Sequence, residues 1–187
     1  ELGLAYLNST GWTYEIPDDA TDLNMTNSYG QVGANPSIHI DRNHNFHIFH
    51  IASDIGVKHT YRSLNNSTWI SEIISPPTGK FSSTLDSSDN LRVVYAIDAT
   101  SNSSGKIFHT TLSNGNWSTY QIGSTYGHYL DLHVESDSAD NLHLVYANFR
   151  GIEYLKINIS YIEKTILLDS PNGIPFAQHS VDYFGAI

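Results

Sequence analysis

The sequence contains no cysteine. A disulfide framework and a thiolate metal site are both excluded, while the cellular compartment is left open. Basic residues are scarce: nine Lys and Arg stand against nineteen Asp and Glu, for a formal charge of −10. That balance argues against nucleic acid or an anionic membrane as partner, because both attract basic surfaces. Charge of either sign is thin, at 15% of the chain. No run of about 18 apolar residues occurs, so no segment reads as a membrane span. No secretory signal opens the chain, and Glu1 in place of an initiator Met reads as a processed or trimmed end. What is abundant is Ser, Thr, Asn and Tyr. The apolar runs are strand-length and broken by turn residues every few positions, which predicts an almost wholly β chain with no helix beyond a turn or so. A chain of 187 residues is long enough to bury a sizeable core.

The stretch from Phe81 to Ile122 shows the plan. Ser82–Asp86 is a short β-prone run ending in a turn former, and Ser87–Asn90 is a polar turn. Leu91–Ala96 is a mostly apolar strand, Asp98–Gly105 a Ser/Thr/Asn/Gly loop, and Lys106–Leu112 a third strand. Ser113-Asn114-Gly115-Asn116 carries Asn-Gly, the strongest short hairpin signal, before a fourth strand at Trp117–Ile122. Four antiparallel strands joined by tight turns form a meander, which is one blade of a β-propeller.

The plan recurs. Asn45, Asn90 and Asn141 each precede a second strand, in NFHIFHI, NLRVVYA and NLHLVYA. An acidic residue closes the first strand at Asp41, Asp86, Glu135 and Asp182, spaced 45, 49 and 47 residues apart. Gly33, Gly79, Gly127 and Gly173 lie upstream of them. Trp12, Trp69 and Trp117 open fourth strands, and Tyr6, Tyr61, His109 and Tyr154 sit in third strands. Anchors holding one order at a fixed period are the signature of a repeat array. A single blade cannot bury both faces, so neighbours must stack and inner strands become apolar on both sides, as in Val93–Ala96. The expected architecture is an all-β propeller of four-stranded antiparallel blades, three full and two partial. Residues 1–16 form a half blade, 37–74, 81–122 and 129–168 full blades, and 178–187 the start of another. Ending inside a blade leaves open strand edges, so Gln178–Asp182 is expected to complete the half blade at 1–16, within one chain or between chains.

SIHIDRNHNFHIFHI, STLDSSDNLRVVYAI and LHVESDSADNLHLVYAN resemble the blades of sialidase-like β-propeller repeats found in exported archaeal and bacterial surface proteins. The resemblance covers nearly the whole chain and implies the propeller fold and an extracellular or cell-surface location. Two departures stand out: Arg92 replaces the repeat His, and Tyr161-Ile162 stands where the third full blade lacks its Trp. The Ser-x-Asp-x-Gly-x-x-Trp box of sialidase repeats is absent. A sialidase-like hydrolase needs clustered arginines and a Tyr or acid pair. Arg42, Arg62, Arg92 and Arg150 fall in a turn, a strand end, a strand and a loop, and no Gly-x-Ser-x-Gly context occurs. No catalytic residue is assigned, and the chain reads as a non-enzyme.

Seven Asn-x-Ser/Thr sequons occur, at Asn8, Asn24, Asn65, Asn66, Asn102, Asn116 and Asn158. Several fall in predicted turns, where a glycan disturbs no strand. They point to an exported glycoprotein with a structural, adhesive, envelope or filament-forming role, whose partners are further copies or surface proteins. The alternative is a lectin-like propeller in which Trp12, Trp69 and Trp117 stack on sugar rings. A Trp at one point of every blade otherwise serves packing. Asp41, Asn43 and Asn45 have Asp-x-Asn-x-Asn spacing, which suggests calcium. Yet the twelfth position of that loop is Ala52 rather than Glu, and strands flank it, so a tight turn is the expectation. His47, Arg92 and His143 share one place in successive second strands, and His39 and His133 lie on first strands. Neither set has metal-ligand spacing, and no metal site is assigned.

Overall fold

The computed structural model describes residues 1–19, 32–97, 104–125, 131–148, 151–158, 161–169 and 179–183. Among them are fifteen β-strands and no helix. The chain divides into two compact units, Glu1–Gly79 and Lys80–Ile187.

The first unit holds a hairpin and one four-stranded antiparallel sheet. The hairpin pairs β1 (Leu2–Asn8) with β2 (Gly11–Asp18). The sheet runs in chain order through β3 (Val32–Ile40), β4 (Phe46–Ala52), β5 (Gly56–Arg62) and β6 (Ile70–Ile73). Each strand pairs with the next because the connections are too short for anything but a meander. Gly56 allows the β4–β5 turn: its φ is +138°, and a Cβ there would lie 2.2 Å from the Ser75 carbonyl oxygen. No other residue type fits that close approach.

The second unit holds two sheets. One contains β7 (Lys80–Leu85), β8 (Leu91–Ile97), β9 (Gly105–Ser113) and β10 (Asn116–Thr125). The other contains β11 (Asp131–Ser136), β12 (Leu142–Asn148), β13 (Gly151–Ile157), β14 (Tyr161–Asp169) and β15 (His179–Tyr183). The two sheets share a core: Val94, Ala96, Ile107 and Ile122 from the first meet Leu132, Val134, Leu142, Leu144, Tyr146 and Leu155 from the second. Each Val, Leu or Ile side chain among them contributes about 1.5–3 kcal/mol by leaving water. Strand β8 is buried on both faces, with Val93 and Val94 fully enclosed, as its unbroken apolar run requires. The first strands of the two sheets, β7 and β11, lie side by side, and Ser82 Oγ accepts the Val134 N–H at 3.1 Å.

The segment expected to complete the half blade takes a different position. β15 adds to β14 as a fifth antiparallel strand, with Ile162 opposite Asp182 and Lys164 opposite Ser180. A strand pattern fixes which faces point in and out, but not which free edge it joins. β14 offers an edge close by in sequence, and covering it removes a row of unpaired N–H and C=O groups.

One turn design joins the first and second strands of all three larger sheets. Asp41, Asp86 and Asp137 each use Oδ1 to accept the backbone N–H groups two and four residues on, at 2.8–2.9 Å. The fourth residue is always Asn, whose Nδ2 donates back to the same carboxylate. The third residue, His44, Asp89 or Asp140, sits at φ 61–62°. That left-handed conformation is unfavourable for a side-chain-bearing residue, and the carboxylate hydrogen bonds offset the cost. The sixth residue completes the set. His47 Nε2 lies 3.5 Å from Asp41, Arg92 Nη2 2.9 Å from Asp86, and His143 Nε2 2.9 Å from Asp137. The third acidic anchor is therefore Asp137 and not Glu135, whose side chain sits on β11 against His133. Extra residues lie between the second and third turns, beginning with a β8–β9 connection longer than that of β4–β5, so the Asp-to-Asn offset of four, not the spacing between blades, marks the equivalent acid. The bonds also give a local role to Asp41 and Asn45: both Asp41 oxygens accept N–H groups, and Asn45 Oδ1 accepts the Leu64 N–H.

These turns tie stability to pH. Burial opposes the charge on Asp41 and Asp86, but the bonds from Asn45 and His47, and from Asn90, Ser88 and Arg92, outweigh it and hold both below the ordinary 3.8. The Asn141 and His143 bonds hold Asp137 down as well. Two histidines are also depressed. Burial and the Arg92 charge hold half-buried His109 at about 4, and its enclosed Nε2 has no hydrogen-bond partner. Burial lowers His59 despite its Glu72 partner. A depressed group contributes stability above its unfolded pKa and loses it as pH falls through the folded value. The melting temperature is therefore expected to fall in two stages, from about pH 6.5 through the histidines and again below about pH 4 through the aspartates. Thermal melts at constant salt check this. A melting temperature independent of pH between those values contradicts it, and His109→Phe should flatten the first stage.

Candidate functional site

The two faces of the β1–β2 hairpin differ sharply. Trp12, Tyr14 and Ile16 alternate along β2 on the outward face, at 77%, 67% and 45% exposure. Across the pair, Leu7 stands opposite Trp12 and Ala5 opposite Tyr14. The Tyr14 ring reaches back over β1, where a Cβ on Gly3 would come within 2.8 Å of its hydroxyl. The absence of a side chain at Gly3 thus lets the ring lie against the strand. The result is a shelf of two aromatic rings and Leu7 on one face of the hairpin.

The inward face is an electrostatic anchor. Glu15 accepts hydrogen bonds from Tyr6 Oη (2.7 Å), Trp69 Nε1 (2.8 Å) and Arg62 Nη1 (3.1 Å). The guanidinium of Arg62 sits 4.9 Å from the Trp69 ring centre and 5.3 Å from that of Phe46, within cation–π range. Burial opposes the Glu15 charge, but the Tyr6, Trp69 and Arg62 interactions keep its pKa lowered. Trp69 is consequently committed to packing. Trp117, opening β10 across from Leu112, is half-buried. Of the three tryptophans proposed from sequence, Trp12 alone presents an open ring. The aromatic partner Tyr14 was missed, although Trp12-x-Tyr14-x-Ile16 shows the period of two that puts all three on one face.

The groups considered for chemistry are occupied internally. Arg62 pairs with Glu15 and Arg92 with Asp86. Arg42 lies in an exposed turn, and Arg150 lies outside the described residues. A Tyr–Glu pair exists at Tyr146 and Glu153, directly opposite across β12 and β13. It is buried: Tyr146 Oη, Asn148 Nδ2 and Lys164 Nζ all contact the Glu153 carboxylate. Burial and that carboxylate push the Tyr146 phenol up, away from the ionised form a nucleophile needs.

His47 and His59 form a chain of rings, with His47 Nδ1 3.0 Å from His59 Nε2 and His59 Nδ1 2.9 Å from Glu72 Oε1. His39 lies beside Phe49, and His133 beside Glu135 at the surface. Among the described residues, no group of three or more His, Asp or Glu is placed to hold a metal ion. The sequon residues Asn8, Asn65, Asn66 and Asn116 are exposed at or beside turns. Asn158 instead donates Nδ2 to Asn141 Oδ1 at 2.7 Å. Asn24 and Asn102 lie outside the described residues.

No protein-family model and no curated protein matches the sequence. Solved structures do resemble the fold. The intramolecular trans-sialidase from Ruminococcus gnavus, in complex with oseltamivir carboxylate, aligns with a TM-score of 0.50 at 17% identity, over 85% of this chain and 38% of that one. A fucose lectin from Kordia zhangzhouensis, in complex with methyl-fucoside, aligns with a TM-score of 0.42 at 17% identity, over 67% of this chain and 93% of that one. The first likeness shows a sialidase-like all-β fold. The chain spans 38% of the length of that trans-sialidase.

Proposed function

We propose that this chain is a non-enzymatic, carbohydrate-binding part of an exported surface glycoprotein. Its sheets are consecutive blades of a β-propeller, and it holds sugars on the aromatic shelf of the β1–β2 hairpin. The observation that carries the reading is the pair of open rings, Trp12 and Tyr14, on one face of the hairpin. Pyranose rings present an apolar C–H face that packs on such a surface, while the amphipathic rings tolerate the wet rim around it. An apolar patch left in solvent on a hairpin is the kind of surface that marks a binding site. The side-by-side first strands β7 and β11 support the propeller reading, because innermost strands line a propeller's axis. The exposed Asn8, Asn65, Asn66 and Asn116 support export and glycosylation. The engaged Arg62, Arg92, Tyr146 and Glu153 support a binding role over a hydrolytic one.

A glycan array tests this directly. The native chain should bind a defined subset of glycans saturably. Trp12→Ala should weaken that binding about tenfold or more, which is about 1.4 kcal/mol, without lowering the melting temperature, since the ring makes no core contact. Absence of binding across the array, or binding unchanged in Trp12→Ala, overturns it.

A further inference from the structure

The first unit buries a lysine against an aspartate that the sugar-binding reading does not use. Lys58 Nζ on β5 lies 2.6 Å from Asp18 Oδ2 at the end of β2, with both side chains at 3% exposure or less. His50, fully buried and directly opposite Lys58 across β4 and β5, brings Nε2 to 3.3 Å from the same oxygen. Its Nδ1 accepts the Gly33 N–H at 3.3 Å, which places the ring proton on Nε2, hydrogen-bonded to the Thr60 hydroxyl at 3.1 Å, while Asp18 Oδ2 meets both His50 and Lys58 at contact distance but accepts no well-aligned hydrogen bond. We propose that Asp18 and Lys58 condense into an intramolecular isopeptide bond, with His50 as the group that positions and polarises the carboxyl.

The chemistry follows from the enclosure. Holding an ammonium and a carboxylate in a dry interior is costly, and proton transfer from Nζ to the carboxylate yields a neutral amine and a neutral acid. The amine lone pair then attacks Cγ. The Nε2–H of His50, 3.3 Å from Asp18 Oδ2, needs only a small turn away from Thr60 to donate to the developing oxyanion. The Nζ–Cγ bond forms, one Cγ–O bond breaks, and the departing oxygen carries away two protons that began on Nζ, leaving as water. No oxidant, nucleotide or net proton is required. Fixed proximity lowers the barrier, since groups brought into a near-attack arrangement reach effective concentrations of about 10⁵ M. Exclusion of bulk water disfavours the reverse hydrolysis. The bond would replace two buried charges by an amide and tie the hairpin covalently to the sheet, closing the chain between residues 18 and 58.

Mass spectrometry of the full chain, made in a host that does not glycosylate it, tests the proposal. The expected mass is lower than the sequence mass by one water, with a branched peptide joining the segments that contain Asp18 and Lys58. Lys58→Arg, which keeps the charge but cannot condense in this way, should restore the full sequence mass. His50→Ala should slow formation of the branched peptide at least tenfold. A native chain of full sequence mass after prolonged incubation overturns the proposal, as does a lost water that maps to other residues. If Lys58→Arg fails to fold, the branched peptide from the native chain decides alone. Neither result bears on glycan binding, which rests on the opposite face of the hairpin.

Discussion

Asp86→Ala is expected to destabilise the second unit by about 4 kcal/mol, a large fraction of a domain's total stability. The side chain is 2% exposed and accepts from the Ser88 and Asn90 N–H groups, from Asn90 Nδ2, and from Arg92 Nε and Nη2. Removing it strips the bonds that hold Asp89 at positive φ and leaves the Arg92 guanidinium without its counter-charge. Arg92 Nη1 also donates to the Asp140 carbonyl, and Ser87 bonds the Asp140 carboxylate, so the loss reaches the turn of the neighbouring sheet. Asp86→Asn keeps an acceptor for the turn while losing the ion pair, and should cost about half as much. Urea unfolding followed by circular dichroism measures both. A cost below about 1 kcal/mol for Asp86→Ala would show that the turn holds without its carboxylate.

That turn also marks how far the sequence could be read. Asn45, Asn90 and Asn141 located every first turn, and the strands around them lie where the alternation and Asn-Gly signals put them. Those features are local, encoded within a few residues by turn chemistry and a period of two. The third acidic anchor was misplaced at Glu135 because spacing between blades tolerates insertions, whereas the four-residue offset from Asp137 to Asn141 does not. The position of β15 was not legible, since edge choice depends on which strand lies free nearby. Least legible were the contacts between distant segments. Glu15 meets Arg62 and Trp69, and Asp18 meets Lys58, only after the hairpin docks on β3–β6, and no spacing rule anticipates either. For the same reason the sequence offered three equivalent tryptophans, while docking buries part of Trp69 and leaves Trp12 open.

The second large effect concerns that docking. Glu15→Ala is expected to destabilise the first unit by about 3 kcal/mol, because it removes the shared acceptor of Tyr6, Trp69 and Arg62 and strands a largely buried guanidinium among aromatic rings. The carboxylate is 22% exposed, so solvent screening moderates the ionic part. Glu15→Gln retains acceptance from the phenol and indole and should cost about 1 kcal/mol. Tryptophan fluorescence during unfolding reports the change, since Trp69 loses its indole hydrogen bond. A Glu15→Ala chain as stable as the native one would show that the hairpin docks by apolar contact alone.

The shelf on the hairpin's other face is the centre of the functional account, and the three indole N–H resonances of the native chain report on it. In a heteronuclear spectrum, Trp69 is identified by its hydrogen bond to Glu15 and Trp12 by its loss in Trp12→Ala. On titration with a glycan selected from the array, the Trp12 resonance should move saturably while those of Trp69 and Trp117 stay in place. Saturable movement of Trp69 or Trp117 with Trp12 unchanged would contradict the account.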